Sequence, residues 1–178
     1  PAGDGSVTRG LLYYKDDVHR ETDDIGEPRE RMEDATWSVA AEHQRTLSGT
    51  LMGVVGLGWN GFDARQADNN IGGSVIQPFP LKNDSALNAQ GGLNWRASEI
   101  WSLGANLARK TRFPTIKDRY SYRLGRAVPN TDLRAETADH LEFSADGNLR
   151  GTTTRIALFG SKVDDAIEAV TVSSSPAT

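Results

Sequence analysis

The chain has 178 residues, with 20 Lys and Arg against 24 Asp and Glu, 37% apolar residues and no Cys. Its net charge of −4 is spread along the chain and provides no basic footprint for nucleic acid. The lack of Cys excludes a disulfide framework, a thiolate zinc site and a Cys nucleophile. No run of about 18 apolar residues occurs, so this chain could cross a membrane only with β-strands.

Alternation of apolar and polar residues predicts about seven β-strands. In chain order the candidate strands are 7–15, 35–44, 51–59, 86–97, 99–110, 137–149 and 152–166. The stretch 86–97 is the clearest, because Leu87, Leu93 and Trp95 alternate with amide side chains. Successive side chains point to opposite faces of a strand, so one face of the sheet is apolar and the other is polar. The predicted inward polar residues are Glu42, Gln44, Asn88, Gln90, Asn94 and Asn106.

The connections between these strands alternate in length. Those near residues 47, 97 and 150 are tight turns, whereas 16–34, 62–85 and 111–136 are predicted as long loops at one end of the sheet. Loops longer than about 12–15 residues are uncommon in compact domains. The pattern predicts an all-β antiparallel meander that forms part of a transmembrane β-barrel, with short periplasmic turns and long extracellular loops.

The four Trp residues support this interpretation. Trp95 and Trp101 flank a short turn, while Trp37 and Trp59 lie at the long-loop ends of their strands, all on the apolar parity. About ten residues separate the two levels, which at a rise of about 3.3 Å and a tilt of about 40° spans roughly 25 Å. This is the height of a lipid-facing band with an aromatic girdle at each rim. The alternative is an antiparallel sandwich with Trp in its core.

A more specific signal lies between residues 107 and 142, LARKTRFPTIKDRYSYRLGRAVPNTDLRAETADHLE. It contains three short elements that occur in this order, formed by Arg112, Pro114 and Thr115, then Arg119 and Tyr120, then Asn130, Asp132, Leu133 and Glu136. The segment resembles the C-terminal barrel region of TonB-dependent outer-membrane receptors. Thr131, Arg134 and Ala135 depart from the Pro, Lys and Pro that are usual in the third element.

This resemblance implies a receptor in the bacterial outer membrane that binds a scarce nutrient, such as a ferric siderophore, and imports it with energy delivered by TonB. The family's barrel has 22 strands, so the chain is expected to be a fragment of one. Residues 1–170 are assigned to a partial barrel domain and residues 171–178 to a Ser-rich tail. The expected partners are outer-membrane lipid, a small-molecule metal chelate, and the TonB system acting through an N-terminal plug region that is not visible here.

The predicted loop 110–136 is net basic, with seven Lys and Arg against three acids. Arg offers planar, bidentate donors to carboxylates and catecholates, so the loop is a candidate binding surface for an anionic metal chelate. The candidate ligand-binding residues are Arg112, Arg119, Tyr120, Tyr122, Arg123 and Arg126. The alternative for the same charges is ion pairing between loops and contact with lipopolysaccharide.

The predicted loop 15–34 is acidic, with nine acids against four bases. Pairs such as Asp16-Asp17 and Asp23-Asp24 lack the regular spacing of a calcium site, which favours a solvated mobile loop. The chain has no Gly-x-Ser-x-Gly motif, and the Gly53–Gly58 stretch lies within a predicted strand and opens no helix. We therefore expect no enzyme activity, no catalytic residues, no metal site and no cofactor.

Two other functions remain compatible with the sequence. A complete eight-stranded barrel would serve as a structural or adhesive surface protein, and the length suits it. A soluble antiparallel sheet domain would bind a ligand or another protein. An open sheet with a lipid-adapted face would aggregate in water or cover that face with a partner, so dependence on detergent separates these possibilities.

Overall fold

The computed structural model describes residues 5–22, 25–72, 75–123, 126–149 and 151–170. The predicted Ser-rich tail at 171–178 and the Asp23-Asp24 pair lie outside the described residues. Eight strands and one short helix follow each other along the chain. They are β1 (Ser6–Glu21), β2 (Glu30–Thr46), β3 (Leu51–Asn70), β4 (Ile76–Pro78), β5 (Asn83–Arg96), β6 (Trp101–Arg112), α1 (Ile116–Tyr120), β7 (Glu136–Leu149) and β8 (Thr152–Asp164).

All strands belong to one antiparallel meander. Its order is β1-β2-β3-β5-β6-β7-β8, and the three-residue β4 pairs with the far end of β3. Within the described part of the chain, β1 and β8 form the two edges and do not pair with each other, so the sheet is open. The predicted all-β antiparallel meander is confirmed, with seven strands in the main path and β4 as an addition.

The predicted alternation separates two faces of the sheet. Cross-strand partners share a face, and the register pairs Trp59 with Leu87 and Leu107 with Leu141 on one of them. We call this the apolar face. Leu57, Leu87 and Leu158 there are each more than 60% exposed, so this face has no protein covering within the described residues. The opposite, polar face carries all six residues that the sequence predicted to point inward.

Large and small side chains interlock on the apolar face. Trp37 lies over Gly61 of the neighbouring strand, and its ring centroid is 6.2 Å from that of Trp59. Trp101 covers Gly147 in the same way at the short-turn end. A glycine opposite each ring leaves room for the flat indole to lie on the sheet. The Trp residues therefore mark both ends of the apolar band, as their spacing predicted.

Charged pairs lie beyond the apolar band at the long-connection end. Arg109 Nη2 is 2.6 Å from Asp139 Oδ2 across β6 and β7. Across the sheet, Arg65 Nη1 is 2.7 Å from Asp16 Oδ1 and Arg65 Nη2 donates to the Tyr14 hydroxyl at 2.6 Å. Burial of charge in hydrocarbon is costly, so these pairs fit a position at or above the membrane rim. No helix in the described part of the chain is long and apolar enough to cross a membrane.

Two of the three predicted long loops are corrected by the structure. The stretch 16–34 is mostly strand, because β1 runs to Glu21 and β2 begins at Glu30. Likewise, β3 continues to Asn70 and β5 begins at Asn83. The connection between them is therefore residues 71–82, which include β4, rather than the predicted 62–85. The apolar alternation stops at the rim of the band, but cross-strand ion pairs and the backbone ladder continue beyond it. The third connection, 113–135, is long as predicted.

The acidic segment is therefore not a solvated mobile loop over most of its length. Asp16 and Asp17 lie on β1, and Asp34 lies opposite Asp17 on β2. The structure places these carboxylates on paired strands, which hold them at defined positions. Only residues 22–29 connect the two strands.

Candidate ligand-binding surface

The connection 113–135 folds back onto the polar face at the end of the long strands. Its first part forms α1, which begins with a capping box. The Thr115 side chain accepts from the Asp118 backbone N–H at 3.3 Å, and Asp118 Oδ2 accepts from the Thr115 backbone N–H at 3.0 Å. These reciprocal bonds satisfy backbone donors that the first turn of a helix leaves without partners. A helix of five residues needs this support because its own backbone bonds are few.

The buried core lies beneath α1 rather than inside the meander. Strands β2 and β3 contribute Met32, Phe62, Ala64 and Ala67, and the helix contributes Ile116 and Tyr120. Two further rings, those of Phe79 and Phe113, pack against this cluster. The apolar residues above the rim thus face the polar side of the sheet, where the connection covers them. This core fixes the connection to the sheet and positions its other side chains.

Arg119 lies at the centre of this arrangement. Its side chain is fully buried and forms an ion pair with Asp84 of β5. Its Nη2 also donates to the Leu133 carbonyl at 3.0 Å, and its guanidinium carbon is 5.2 Å from the Phe62 ring centroid. One residue therefore ties both ends of the connection to the sheet. A buried charge is tolerated only when it is paired and hydrogen-bonded in this way.

The next two residues are also buried and engaged. The Tyr120 hydroxyl accepts from the Lys82 backbone N–H at 3.2 Å, and burial raises the pKa of this phenol above its ordinary value. The Ser121 hydroxyl donates to Glu21 at 2.7 Å, and the same carboxylate oxygen lies 2.9 Å from His19 Nε2. These contacts attach the connection to β1 as well as to β3 and β5.

The remaining candidate binding residues are more accessible. Arg123 is exposed and pairs with Asp118 at 2.9 Å, while Tyr122 lies 6.3 Å from Phe79 between ring centroids. Arg126 is exposed. Arg112 is also exposed, at the end of β6, and its Nη2 donates to the Ile167 carbonyl at 3.5 Å. The six candidates are thus divided between a buried group that holds the connection and an outer group that is exposed or partly exposed.

The family-like motif residues have structural partners. Pro114 is fully buried, and Thr115 is the N-cap of α1. Asn130 Oδ1 accepts from the Asp132 backbone N–H at 3.1 Å, and Glu136 accepts from the Ile167 backbone N–H at 3.0 Å. The Leu133 carbonyl accepts from Arg119, as described above. The motif therefore builds the turn and return of the connection.

A second feature of the polar face is a chain of polar side chains that come from four strands and pass over a fifth, β3. Arg9 Nη1 lies 3.1 Å from Glu42 Oε1, Gln90 donates to Glu42 at 2.8 Å, and Lys110 donates to Gln90 at 3.0 Å. The Gln90 side chain passes over Gly56, where an added Cβ would lie 2.9 Å from Gln90 Cγ. These residues line a cavity of about 480 Å³. The sequence predicted Glu42 and Gln90 as inward-facing, but it did not reveal Arg9 or Lys110 as their partners.

Comparison with known families identifies the architecture. Residues 3–178 match the family model described as TonB dependent receptor-like, beta-barrel. The chain belongs to the TonB-dependent receptor β-barrel family. The predicted family membership is therefore confirmed, over almost the whole chain rather than over the motif segment alone.

Solved structures of TonB-dependent receptors share this fold. The FrpB iron transporter from Neisseria meningitidis, F3-3 variant, is similar with a TM-score of 0.64 at 15% identity over 93% of this chain and 26% of that chain. A double mutant of the Serratia marcescens hemophore receptor HasR, in complex with its hemophore HasA and heme, is similar with a TM-score of 0.61 at 14% identity. That match covers 89% of this chain and 34% of HasR. The chain thus spans about a quarter to a third of the length of these receptors. No curated protein matches it.

Proposed function

We propose that the chain forms part of the barrel wall of an outer-membrane receptor that binds a scarce nutrient and imports it into a bacterium. The observation that carries this proposal is the family match over residues 3–178, together with an exposed apolar band bounded by Trp residues and ion pairs. Such a band supports contact with outer-membrane lipid. Residues 1–170 would supply the wall, and TonB would supply energy through a plug region. The role is transport rather than catalysis.

The proposed ligand is an anionic metal chelate such as a ferric siderophore. The two structural neighbours are an iron transporter and a hemophore receptor in complex with heme, which favours an iron-containing ligand. The exposed members of the basic connection, Arg112, Arg123 and Arg126, are the residues proposed to contact it, with Tyr122 beside them. Arg119 and Tyr120 would support them from beneath, because both side chains are buried and already engaged.

Binding of iron chelates to the full-length receptor in detergent tests this proposal. Tryptophan fluorescence would be titrated with a ferric tris-catecholate, a ferric hydroxamate and heme. The double variant Arg123→Ala and Arg126→Ala is expected to weaken binding of the anionic tris-catecholate by about tenfold or more, since each charged contact is worth about 1.5–3 kcal/mol before losses to solvent.

Arg155→Ala is the matched control. Arg155 is an exposed arginine of β8 whose nearest carboxylate is 3.6 Å away, and it lies outside the basic connection. It should leave affinity unchanged. Equal affinity for the tris-catecholate in the double variant and the unmodified receptor would contradict a role of the exposed arginines in ligand capture. Failure of all three chelates to bind would contradict import of an iron complex.

A further inference from the structure

A second cavity, of about 520 Å³, lies where the connection 113–135 meets the polar face of β1 and β2. It is separate from the exposed arginines proposed to capture a metal chelate. One wall is apolar and is formed by Phe62, Phe113 and Ile116. Asp17 and Asp34 also line the cavity. The volume is within the range of small-molecule sites, which combine apolar walls with a few placed polar groups.

Asp34 is the unusual group in this cavity. It is 4% exposed, and within the described residues its carboxylate accepts no hydrogen bond. Its direct cross-strand partner on the same face is Asp17, and like charges directly opposite each other destabilise a sheet. Lys15 forms an ion pair with Asp17. The Asp34 carboxylate therefore lines the cavity and has no cation in contact with it among the described residues.

The electrostatics agree with this geometry. Burial raises the pKa of Asp34 from 3.8 to about 6, and the negative charge of Asp17 adds to the effect, while Lys15 and Arg65 oppose it. Two further titratable groups face the cavity. His19 on β1 is already bonded to Glu21, and Lys117 comes from α1. A carboxylate in this position gains from a positive partner more than a fully exposed one does, because burial has removed part of the hydration that would stabilise its charge.

We propose that this cavity binds a small organic cation, whose ammonium or amidinium group pairs with Asp34 while its ring or alkyl part packs against Phe62 and Phe113. A compact cation donates to the carboxylate and relieves the repulsion between Asp34 and Asp17. Both rings contribute apolar contact, and the partly exposed Phe113 attracts positive charge over its face, whereas Arg119 already lies over the Phe62 ring. A metal ion fits less well, since the described residues contain no group of three or more His, Asp or Glu arranged to hold one.

The test is a calorimetric titration, in which benzamidinium is added to the full-length protein in detergent micelles. Saturable binding is expected at pH 7.5, and Asp34→Asn should weaken it by about ten- to a hundredfold, the range for loss of a hydrogen bond to a charged group. Binding at pH 6 should release about half a proton, because the cation favours ionised Asp34. Calorimetry in two buffers with different ionisation enthalpies measures this release.

The controls separate a specific cation site from general charge attraction. Glu99→Gln removes one negative charge in the short turn at the other end of the sheet and should leave binding unchanged. Benzoate, which matches benzamidinium in shape with the opposite charge, should not bind. Phe113→Leu, which keeps the carboxylates, should weaken binding through loss of ring contact, and it provides a second test if Asp34→Asn does not fold.

Three results would overturn the proposal. One is the absence of saturable benzamidinium binding, and another is equal affinity in Asp34→Asn. The third is binding of Mg²⁺ or Ca²⁺ with the same dependence on Asp34 and stronger than benzamidinium, which would identify an inorganic cation site instead. None of these results bears on chelate capture by Arg123 and Arg126, so the two proposals can fail independently.

Discussion

The close contact between Trp101 and Gly147 shows how single residues shape the apolar face. A Cβ at position 147 would lie 2.6 Å from Trp101 Cζ3, so any side chain larger than hydrogen must displace the indole. Gly147→Ala is expected to destabilise the protein by about 1–3 kcal/mol, the usual cost of overpacking. Guanidinium unfolding in lipid vesicles, followed by tryptophan fluorescence, measures the change.

Gly160→Ala on the neighbouring strand β8 is the control for that experiment. Nothing lies within 4 Å of a Cβ at this position, and it occupies the same face of the sheet. It should be neutral or stabilise by up to about 1 kcal/mol through the reduced entropy of the unfolded chain. Equal effects of the two substitutions would mean that the contact between Trp101 and Gly147 does not limit the size of residue 147.

Asp34 provides a pH-dependent prediction at the same scale. Its pKa is raised to about 6, so the folded state favours the protonated carboxyl. The cost of ionising Asp34 in the folded protein appears as pH rises from about 4 to about 6 and is complete above that window. Asp34→Asn should therefore stabilise the protein at pH 7.5 by about 1–2 kcal/mol, less than the full shift implies because Lys15 and solvent in the cavity screen the charge.

Unfolding midpoints of Asp34→Asn and the unmodified protein at pH 3.5, 5, 6 and 7.5 test whether the substitution becomes more stabilising as pH rises. The two plots of unfolding midpoint against pH should come close together near pH 3.5, where Asp34 is mostly protonated in both the folded and unfolded states. A constant difference at all four values would instead indicate an effect of packing. Measurement in the absence of organic cations keeps binding at the cavity from altering the result.

At the level of elements, the position of α1 depends on Arg119. The helix is only five residues long, and Arg119 links it to Asp84 on β5 and to the Leu133 carbonyl at the end of the connection. Arg119→Met keeps the length of the side chain but leaves Asp84 without its partner. Removal of one member of a buried pair costs about 3–5 kcal/mol, and we expect that loss to appear first as local opening of the connection.

Hydrogen exchange in the segment 113–135 and global unfolding together measure this effect. Arg155→Met is the control, because Arg155 is an exposed arginine whose carboxylate partners are 3.6 and 3.9 Å away. Such surface pairs are worth at most about 1 kcal/mol. Unchanged protection of residues 113–135 in Arg119→Met would exclude a holding role for this side chain.

For the whole molecule, the two faces of the sheet should respond oppositely to charge. Leu107 lies on the apolar face two residues before Arg109 and is 59% exposed, whereas Asn106 is its neighbour on the polar face. Leu107→Arg is expected to cost about 1–2 kcal/mol in a bilayer, between the cost of about 2–4 kcal/mol for a charged residue at the midplane of a barrel wall and the cost of about 0–1 kcal/mol near its rim. Asn106→Arg should change stability by less than about 1 kcal/mol, since its charge reaches water.

Unfolding of both variants in lipid vesicles distinguishes a lipid-facing sheet from the soluble alternative. Equal costs on both faces would contradict membrane exposure of the apolar face. A detergent requirement of the unmodified chain tests the same point, because the described sheet leaves Leu57, Leu87 and Leu158 without protein cover. Size-exclusion chromatography with light scattering should show dispersion only when detergent is present.

The sequence alone determined the strand order, the two faces, the positions of the Trp rings and membership of the receptor family. These features depend on residues that are close in the chain, since a period of two assigns each side chain to a face before any contact is known. It could not determine that β1, β2 and β3 continue beyond the apolar band, because the ion pairs there join residues far apart in sequence.

Only the tertiary structure decided which arginines of the basic connection are buried and which are exposed. Arg119 and Arg123 are equivalent in a list of charges, yet one is buried against Asp84 and Phe62 while the other is exposed. It also decided that Asp17 and Asp34, seventeen positions apart, lie opposite each other on the wall of a cavity. Burial and the pKa of a carboxylate arise from neighbours that the fold assembles, so local sequence patterns cannot specify them.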